Sequence, residues 1–99
     1  MAFEEVGTYT EIHTNATTTI ISALGAGVPP LGILLGLFVN NPGTGWQAIV
    51  YDGTAAQNII VATWVTGTSP SVTYRVRLKN GLTVVTTGTT PGSLTFSWL

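Results

Sequence analysis

Apolar and polar residues alternate with a period of two along much of this chain, which is the pattern of half-buried β-strands. Residues 71–79 show this alternation without interruption. The side chains on the apolar side are Val72, Tyr74, Val76 and Leu78, and those on the polar side are Thr73, Arg75, Arg77 and Lys79. Residues 93–98 repeat the pattern. We therefore predict that both segments are strands with one face in a core.

Six further segments predict strands, because they are rich in β-branched and aromatic residues and are bounded by turn residues. They are residues 8–12, 17–22, 31–40, 46–51, 58–65 and 82–87. Asn80-Gly81 is typical of a two-residue hairpin, so we expect the strands on either side of it to pair with each other. Residues 58–65 are apolar on both faces, which predicts a central strand.

Three local predictions complete this pattern. Strict alternation within residues 31–40 places one set of side chains on a common face, namely Leu31, Ile33, Leu35, Leu37 and Val39. Residues 88–92 contain two glycines and a proline and predict a turn. Asp52-Gly53 predicts a second turn, in which the aspartate caps its own turn and the glycine has a positive φ.

The predicted fold is all-β, an antiparallel β-sandwich of about eight strands, because turns recur every 8–12 residues and no helical pattern is present. Jelly-roll and immunoglobulin-like strand orders both fit. We expect residues 8–99 to form one domain, preceded by an arm of residues 1–7. That arm is acidic and lacks a basic start and an apolar core, so it does not predict a secretory signal.

Charged residues are scarce, and this changes the picture of the surface. They make up 7% of the chain, against about 25% in an ordinary soluble domain. No Asp, Glu, Lys or Arg occurs between Glu11 and Asp52. Threonine, with 18 copies, supplies most of the polarity. A surface of this kind indicates either a membrane or extensive cover by other protein chains.

A membrane is the weaker of these two alternatives. Residues 20–39 are uncharged and long enough to span a bilayer. However, Pro29-Pro30 would break a helix at the middle of this segment, and no basic residues flank it. Nucleic-acid binding is also not expected, because Arg75, Arg77 and Lys79 are the only cations.

The residues that could carry chemistry are few. His13 is the only imidazole, cysteine is absent, and no G-x-S-x-G nucleophile motif occurs. Glu11 and His13 share one face of a predicted strand, but two ligands are fewer than the four of a typical closed metal site. A symmetric oligomer could repeat this pair around its axis. We predict that the chain is not an enzyme and has no catalytic residue, cofactor or metal.

Candidate interface residues are easier to name. Arg75, Arg77 and Lys79 form a basic stripe, which indicates either a solvated face that prevents aggregation or a contact with an acidic partner. Trp98 is a candidate for a subunit boundary, because tryptophan is common at the centre of protein interfaces. Glu4 and Glu5 could become ordered when the arm binds a neighbouring subunit.

The motifs, taken in their order along the chain, resemble those of a group of small tailed-phage virion proteins. The resemblance covers residues 9–98 and rests on three segments and a closing aromatic strand. The segments are residues 9–20, residues 49–54 with Tyr51-Asp52-Gly53-Thr54, and residues 78–88 with Asn80-Gly81-Leu82-Thr83-Val84. Members of this group are cysteine-free β-sandwich proteins, and some are capsid cement, or decoration, proteins that bind the outside of the head as trimers.

This resemblance implies a bacteriophage structural protein that decorates the capsid. The expected partners are further copies in a homotrimer and the major capsid protein, and the expected location is the outer surface of the virion, after synthesis in the host cytoplasm. An alternative is a tail or fibre component that acts as a receptor- or glycan-binding module through exposed Trp or Tyr. A third, a small membrane-active lytic protein, is distinguished by partition into detergent.

Overall fold

Eight β-strands make up the fold in the computed structural model, which describes residues 8–22, 32–56, 59–67 and 71–99. The strands are β1 (Thr8–Ile12), β2 (Ala16–Ile21), β3 (Ile33–Asn41), β4 (Thr44–Asp52), β5 (Ile59–Val65), β6 (Ser71–Arg77), β7 (Leu82–Thr90) and β8 (Ser93–Trp98). Each corresponds to a predicted strand. The predicted arm of residues 1–7, with Glu4 and Glu5, lies outside the described residues, as do Leu31 of the predicted common face and the side chains of Val72 and Tyr74.

The strands form two four-stranded antiparallel sheets. Sheet A has the order β1-β8-β3-β6, and sheet B has the order β2-β7-β4-β5. The first strand therefore pairs with the last, β2 with β7, β3 with β6 and β4 with β5. This nested pairing is the jelly-roll order. The predicted all-β sandwich is confirmed, and of the two strand orders left open the chain adopts the jelly roll.

The core lies between the two sheets and draws on both. Sheet A supplies Ile12, Leu34, Leu37, Leu94 and Phe96, and Leu78, which directly follows β6, joins them. Sheet B supplies Ile21, Trp46, Ala48, Val50, Trp64, Leu82 and Val84. Two of the three tryptophans meet here, with Trp46 and Trp64 edge to face at 6.0 Å between ring centroids. Alternation of inward apolar residues with outward polar ones is what a two-layer sandwich requires.

The predicted hairpin at Asn80-Gly81 is wrong, because β6 lies in sheet A and β7 lies in sheet B. The connection between them crosses from one sheet to the other. Gly81 does not have a positive φ, as a type I′ hairpin turn would need. A Cβ at this position would lie 2.6 Å from the carbonyl oxygen of Ile21. Glycine is therefore needed here for a close approach of two backbones.

The prediction for Asp52 is also wrong, and the same connection explains why. The carboxylate does not cap its own turn, and Gly53 does not have a positive φ. Instead it accepts hydrogen bonds from the backbone N–H groups of Lys79, Asn80 and Gly81, at 2.8–3.3 Å. The Asp52 side chain is buried at 6% exposure. It thus holds the segment that carries the chain from sheet A to sheet B.

The predicted central position of residues 58–65 is wrong, since β5 is the end strand of sheet B. Its inward side contributes Trp64 to the core, as expected of an apolar strand. Its outward side does not face a second layer, so that Ile60 is 57% exposed and Val65 is 40% exposed. Ile59, at the start of the strand, is 61% exposed. The two apolar faces of this strand therefore correspond to one face that is buried in the core and one face that is exposed.

Two smaller predictions fail for local reasons. A bulge at Leu35 shifts the register of β3 against β8, so Leu34 and Leu37 both point into the core and the strict alternation ends there. The turn predicted at residues 88–92 is shorter than expected, because β7 continues to Thr90 before the chain turns into β8.

Candidate functional site

The outer face of sheet B is a regular grid of side chains in three rows across the sheet, and we refer to it as the sheet B outer face. Each row is fixed by the strand register. The first row is Thr19, Thr83, Tyr51 and Ile60; the second is Thr17, Val85, Ile49 and Thr63; the third is Thr87, Gln47 and Val65. With strands about 4.8 Å apart and rows two residues apart, the grid covers roughly 400 Å².

This face carries no charge. Among the strands of sheet B, the only Asp, Glu, Lys or Arg residue is Asp52, and its side chain is buried. The exposed polar groups of the face are threonine hydroxyls, whereas the Gln47 side chain is half-buried and Thr83 is buried at 0% exposure. Covering such a face with another protein strips water from no ion, which avoids the main cost of burying a polar surface.

The apolar part of the face lies towards the end strand β5. Ile60 and Val65 are exposed there, and Ile49, Tyr51 and Val85 beside them are half-buried. An exposed apolar cluster on a terminal strand is a site where another protein is expected to bind, because an isolated protein normally protects such an edge with charge.

The outer face of sheet A differs in chemistry. It contains the described charged side chains that lie exposed on strands, which are Glu11 on β1 and Arg75 and Arg77 on β6. Among its described side chains, two aromatic rings are exposed, Tyr9 at 72% and Phe38 at 47%. By register, Tyr9 and Phe38 stand at opposite corners of a small patch, with Ser97 and Thr95 of β8 between them.

A polar network connects three strands of this sheet A face. Ser93 donates a hydrogen bond to Oε2 of Glu11 at 2.7 Å. The Nδ2 atom of Asn40 donates to Oγ1 of Thr95 at 2.8 Å and to Oγ of Ser93 at 3.3 Å. The network holds polar side chains in set positions beside the two exposed rings.

The three residues of the predicted basic stripe lie on β6 and just beyond its end. Arg75 and Arg77 lie exposed on β6, an end strand of sheet A. Lys79 is also exposed, but it lies beyond the end of β6, and its backbone N–H donates to the Asp52 carboxylate. The stripe therefore marks one lateral edge of the sandwich, where charge hinders uncontrolled strand pairing.

The other predicted interface residues give less information. Trp98 is half-buried and packs against the core of its own chain. Its indole Nε1 donates to Oγ1 of Thr10 at 3.2 Å. Glu4 and Glu5 lie outside the described residues, and the roles of all three residues at an interface stay predictions.

Candidate chemistry is sparse in the described part of the chain. Glu11 and His13 are both exposed at and just beyond the end of β1. No group of three or more His, Cys, Asp or Glu side chains there is arranged to hold a metal ion. Within the same residues, no helix has the length and hydrophobicity needed to cross a membrane.

Comparison with known proteins gives no match among family models, curated proteins or solved structures. The resemblance to tailed-phage virion proteins stays a hypothesis, based on the segments quoted above. The surfaces described here are the evidence on which a function can be argued.

Sequence reasoning did not identify the sheet B outer face as a site. Its apolar members Ile49, Ile60 and Val85 have the pattern of ordinary strand residues, and only the register brings them together. One available signal was the apolar outward side of residues 58–65. Together with the absence of charge, this apolar side indicates a surface that another protein covers. That conclusion requires knowing that β5 is the end strand of its sheet, which the sequence does not show.

Proposed function

We propose that this chain is a structural protein of a tailed-phage virion, which decorates the outside of the capsid as a homotrimer and bridges neighbouring capsid subunits. The observation that carries the proposal is the uncharged sheet B outer face with its exposed Ile60 and Val65. In the proposed assembly this face lies against the major capsid protein. The resemblance of residues 9–98 to capsid decoration proteins supports the same function.

The size of the face fits a lattice-bound role. A standard interface covers about 800 Å² on each partner, roughly twice the flat area of the grid. One such face gives a modest affinity by itself. A homotrimer places three copies on one shell at the same time, so that the contacts reinforce one another through high effective concentration. Stabilisation of the shell follows, because each trimer resists separation of the subunits that it bridges.

Substituting Ile60 with lysine tests the proposed docking face. This change places a charge where the capsid would have to desolvate it, and we expect binding to fall about tenfold or more. The measurement is co-sedimentation of the purified protein with empty heads of the phage whose genome encodes it. The matched control is Phe38→Lys, which changes a similarly exposed apolar residue on the opposite sheet and should bind normally.

The outcome of this experiment is decisive in both directions. Loss of binding in Ile60→Lys, with many wild-type copies per head, supports capsid decoration through sheet B. Absence of wild-type binding to heads contradicts the proposal, as does equal binding by the two variants. A handful of copies per virion contradicts it as well and favours a tail component.

The outer face of sheet A supports a second candidate, a receptor- or glycan-binding module of a tail or fibre. Trp46 and Trp64 are buried, so they are not free to form a binding platform. Tyr9 and Phe38 are exposed, and the network of Glu11, Ser93 and Asn40 supplies positioned polar groups next to them. Aromatic faces beside fixed hydrogen-bonding groups are a common arrangement in ligand sites.

This second candidate predicts that wild-type protein binds glycans or cells of the host and that Tyr9→Ala combined with Phe38→Ala reduces binding at least about tenfold. A glycan array and whole-cell pull-down measure the effect. Ile60→Lys, on the other sheet, is the control and should bind as well as the wild type. Glycan and cell binding absent from the wild type would contradict this candidate.

A further inference from the structure

The two lateral edges of the sandwich can be assigned from the topology. Three residues, 13–15, connect β1 to β2, and sheets pack about 10 Å apart, so a connection this short keeps the two strands at the same side. The sheet orders start from these strands and end at β6 and β5 respectively. One side is therefore the β1/β2 edge, and the opposite side is the β5/β6 edge.

These two edges carry opposite charges in the sheet A layer. The β1/β2 edge presents Glu11, whose carboxylate is exposed and accepts a hydrogen bond from Ser93. The β5/β6 edge presents the exposed guanidinium groups of Arg75 and Arg77. The residues flanking Val76, which packs against the core, must point outwards. Acid and base thus face the same outer side of sheet A, at opposite ends.

The sheet B layer of the same edges is uncharged. At the β5/β6 edge, the side chain of Ile59 is 61% exposed. At the β1/β2 edge, β2 presents the exposed hydroxyl-bearing residues Thr17 and Thr19. Burial of Ile59 against a neighbour's β2 would bring no unpaired ion into the contact, and it leaves Ile60 on the sheet B outer face.

The directions of the two edge strands β1 and β6 are also compatible with side-by-side association. Each sheet has four strands in strictly antiparallel order, so β1 and β6 run in opposite directions. A second copy placed side by side in the same orientation brings its β1 antiparallel to β6 of the first. If Glu11 stands opposite Arg75, then Tyr9 stands opposite Arg77, because residues two apart on a strand share one face.

We infer that this chain self-associates head to tail, with the β5/β6 edge of one copy against the β1/β2 edge of the next, and with Glu11 opposite Arg75. The occupant of each edge is a second copy of this chain. Such a heterologous contact closes into a ring when its rotation allows. This contact would join the subunits of the homotrimer in the proposed function. Only the number of subunits rests on that proposal, because the contact itself is inferred for the free protein without capsids.

Charge reversal tests the inference in the full chain. Glu11→Lys alone, or Arg75→Glu combined with Arg77→Glu, should lower the association constant at least about tenfold, as like charges then face each other. Sedimentation equilibrium measures this constant, and circular dichroism verifies folding. The triple variant Glu11→Lys, Arg75→Glu and Arg77→Glu should recover association, because its two edges are again opposite in charge and every contact, in a ring of three as in a dimer, is complementary. Phe38→Lys, in a central strand of sheet A, is the control.

Cysteine cross-linking checks the register in a second way. The chain has no cysteine, so Glu11→Cys combined with Arg75→Cys should give an intermolecular disulfide ladder on oxidation. Glu11→Cys combined with Arg77→Cys moves the pair out of register by two residues, beyond the Cα separation of about 7 Å that a disulfide tolerates. This second pair should remain largely uncross-linked.

Several results would overturn the inference. They are a wild-type monomer at every concentration that stays in solution, reversals that leave association unchanged, a triple variant that does not recover it, or cross-linking that favours the out-of-register pair. A monomer that still binds heads overturns this inference and keeps the proposed decoration of the capsid. An edge-linked oligomer that ignores heads supports the inference and contradicts the proposed function.

Discussion

We expect that replacing Asp52 with alanine lowers the free energy of unfolding by about 3 kcal/mol, because three backbone N–H groups lose their acceptor at about 1 kcal/mol each. These groups belong to Lys79, Asn80 and Gly81, in the connection that crosses between the sheets. The Asp52 side chain is buried, so water cannot easily replace the carboxylate. Urea unfolding monitored by tryptophan fluorescence measures the change, with the m-value as a check on the unfolded state.

Two further variants separate this effect from general loss of charge. Asp52→Asn keeps one carbonyl oxygen in place, and we expect it to lose roughly half as much stability as the alanine variant. Glu11→Gln removes an exposed carboxylate on β1 and should change the free energy of unfolding by less than about 0.5 kcal/mol. If Asp52→Ala were no less stable than Glu11→Gln, the proposed anchoring of the connection would be wrong.

Replacing Trp46 with alanine has the largest expected effect, a loss of about 4 kcal/mol. The side chain is fully buried, and its ring meets Trp64 edge to face. Its Nε1 donates to Oδ1 of Asn15 at 2.8 Å, and Nδ2 of Asn15 donates to the carbonyl of Gly88 at 3.0 Å. The indole therefore fills the core and also fixes the link between β1 and β2. Chemical denaturation measures the loss.

The two roles of Trp46 can be resolved by smaller changes. Trp46→Phe keeps an aromatic ring in the core but removes the donor, so we expect it to lose less than half as much stability as Trp46→Ala. Asn15→Ala removes both side-chain hydrogen bonds while leaving the core ring in place, with an expected loss of about 1 kcal/mol. A larger loss in Asn15→Ala than in Trp46→Ala would show that packing is not the main contribution.

Local sequence patterns were sufficient to predict the strands but insufficient to predict which strands pair with each other. Residues 71–79 alternate so regularly that a strand follows from the sequence, and β6 forms there. The pairing of that strand does not follow from its neighbours in the chain, since it pairs with β3, more than thirty residues away in sequence. Asn80-Gly81 was misleading, because Asp52 supplies acceptors that hold the segment in a crossing connection.

The candidate site shows the same division. The scarcity of charge, visible in the composition, predicts that much of the surface is covered by protein. Which surface this is depends on the order of the strands, because β5 could have been central with both apolar faces buried. The structure places it at the end of sheet B and thereby leaves Ile60 exposed.

The sequence by itself determined that this protein is built of about eight strands in an antiparallel sandwich and has very few ions on its surface, since side-chain periodicity and composition are local properties. Only the tertiary structure decided the jelly-roll order, the terminal position of β5, the anchoring role of Asp52 and the opposite charges of the two edges. Each of these depends on contacts between residues distant in the chain, where the gain from burial must exceed the entropy lost on closing long loops. That balance is not encoded in any single segment.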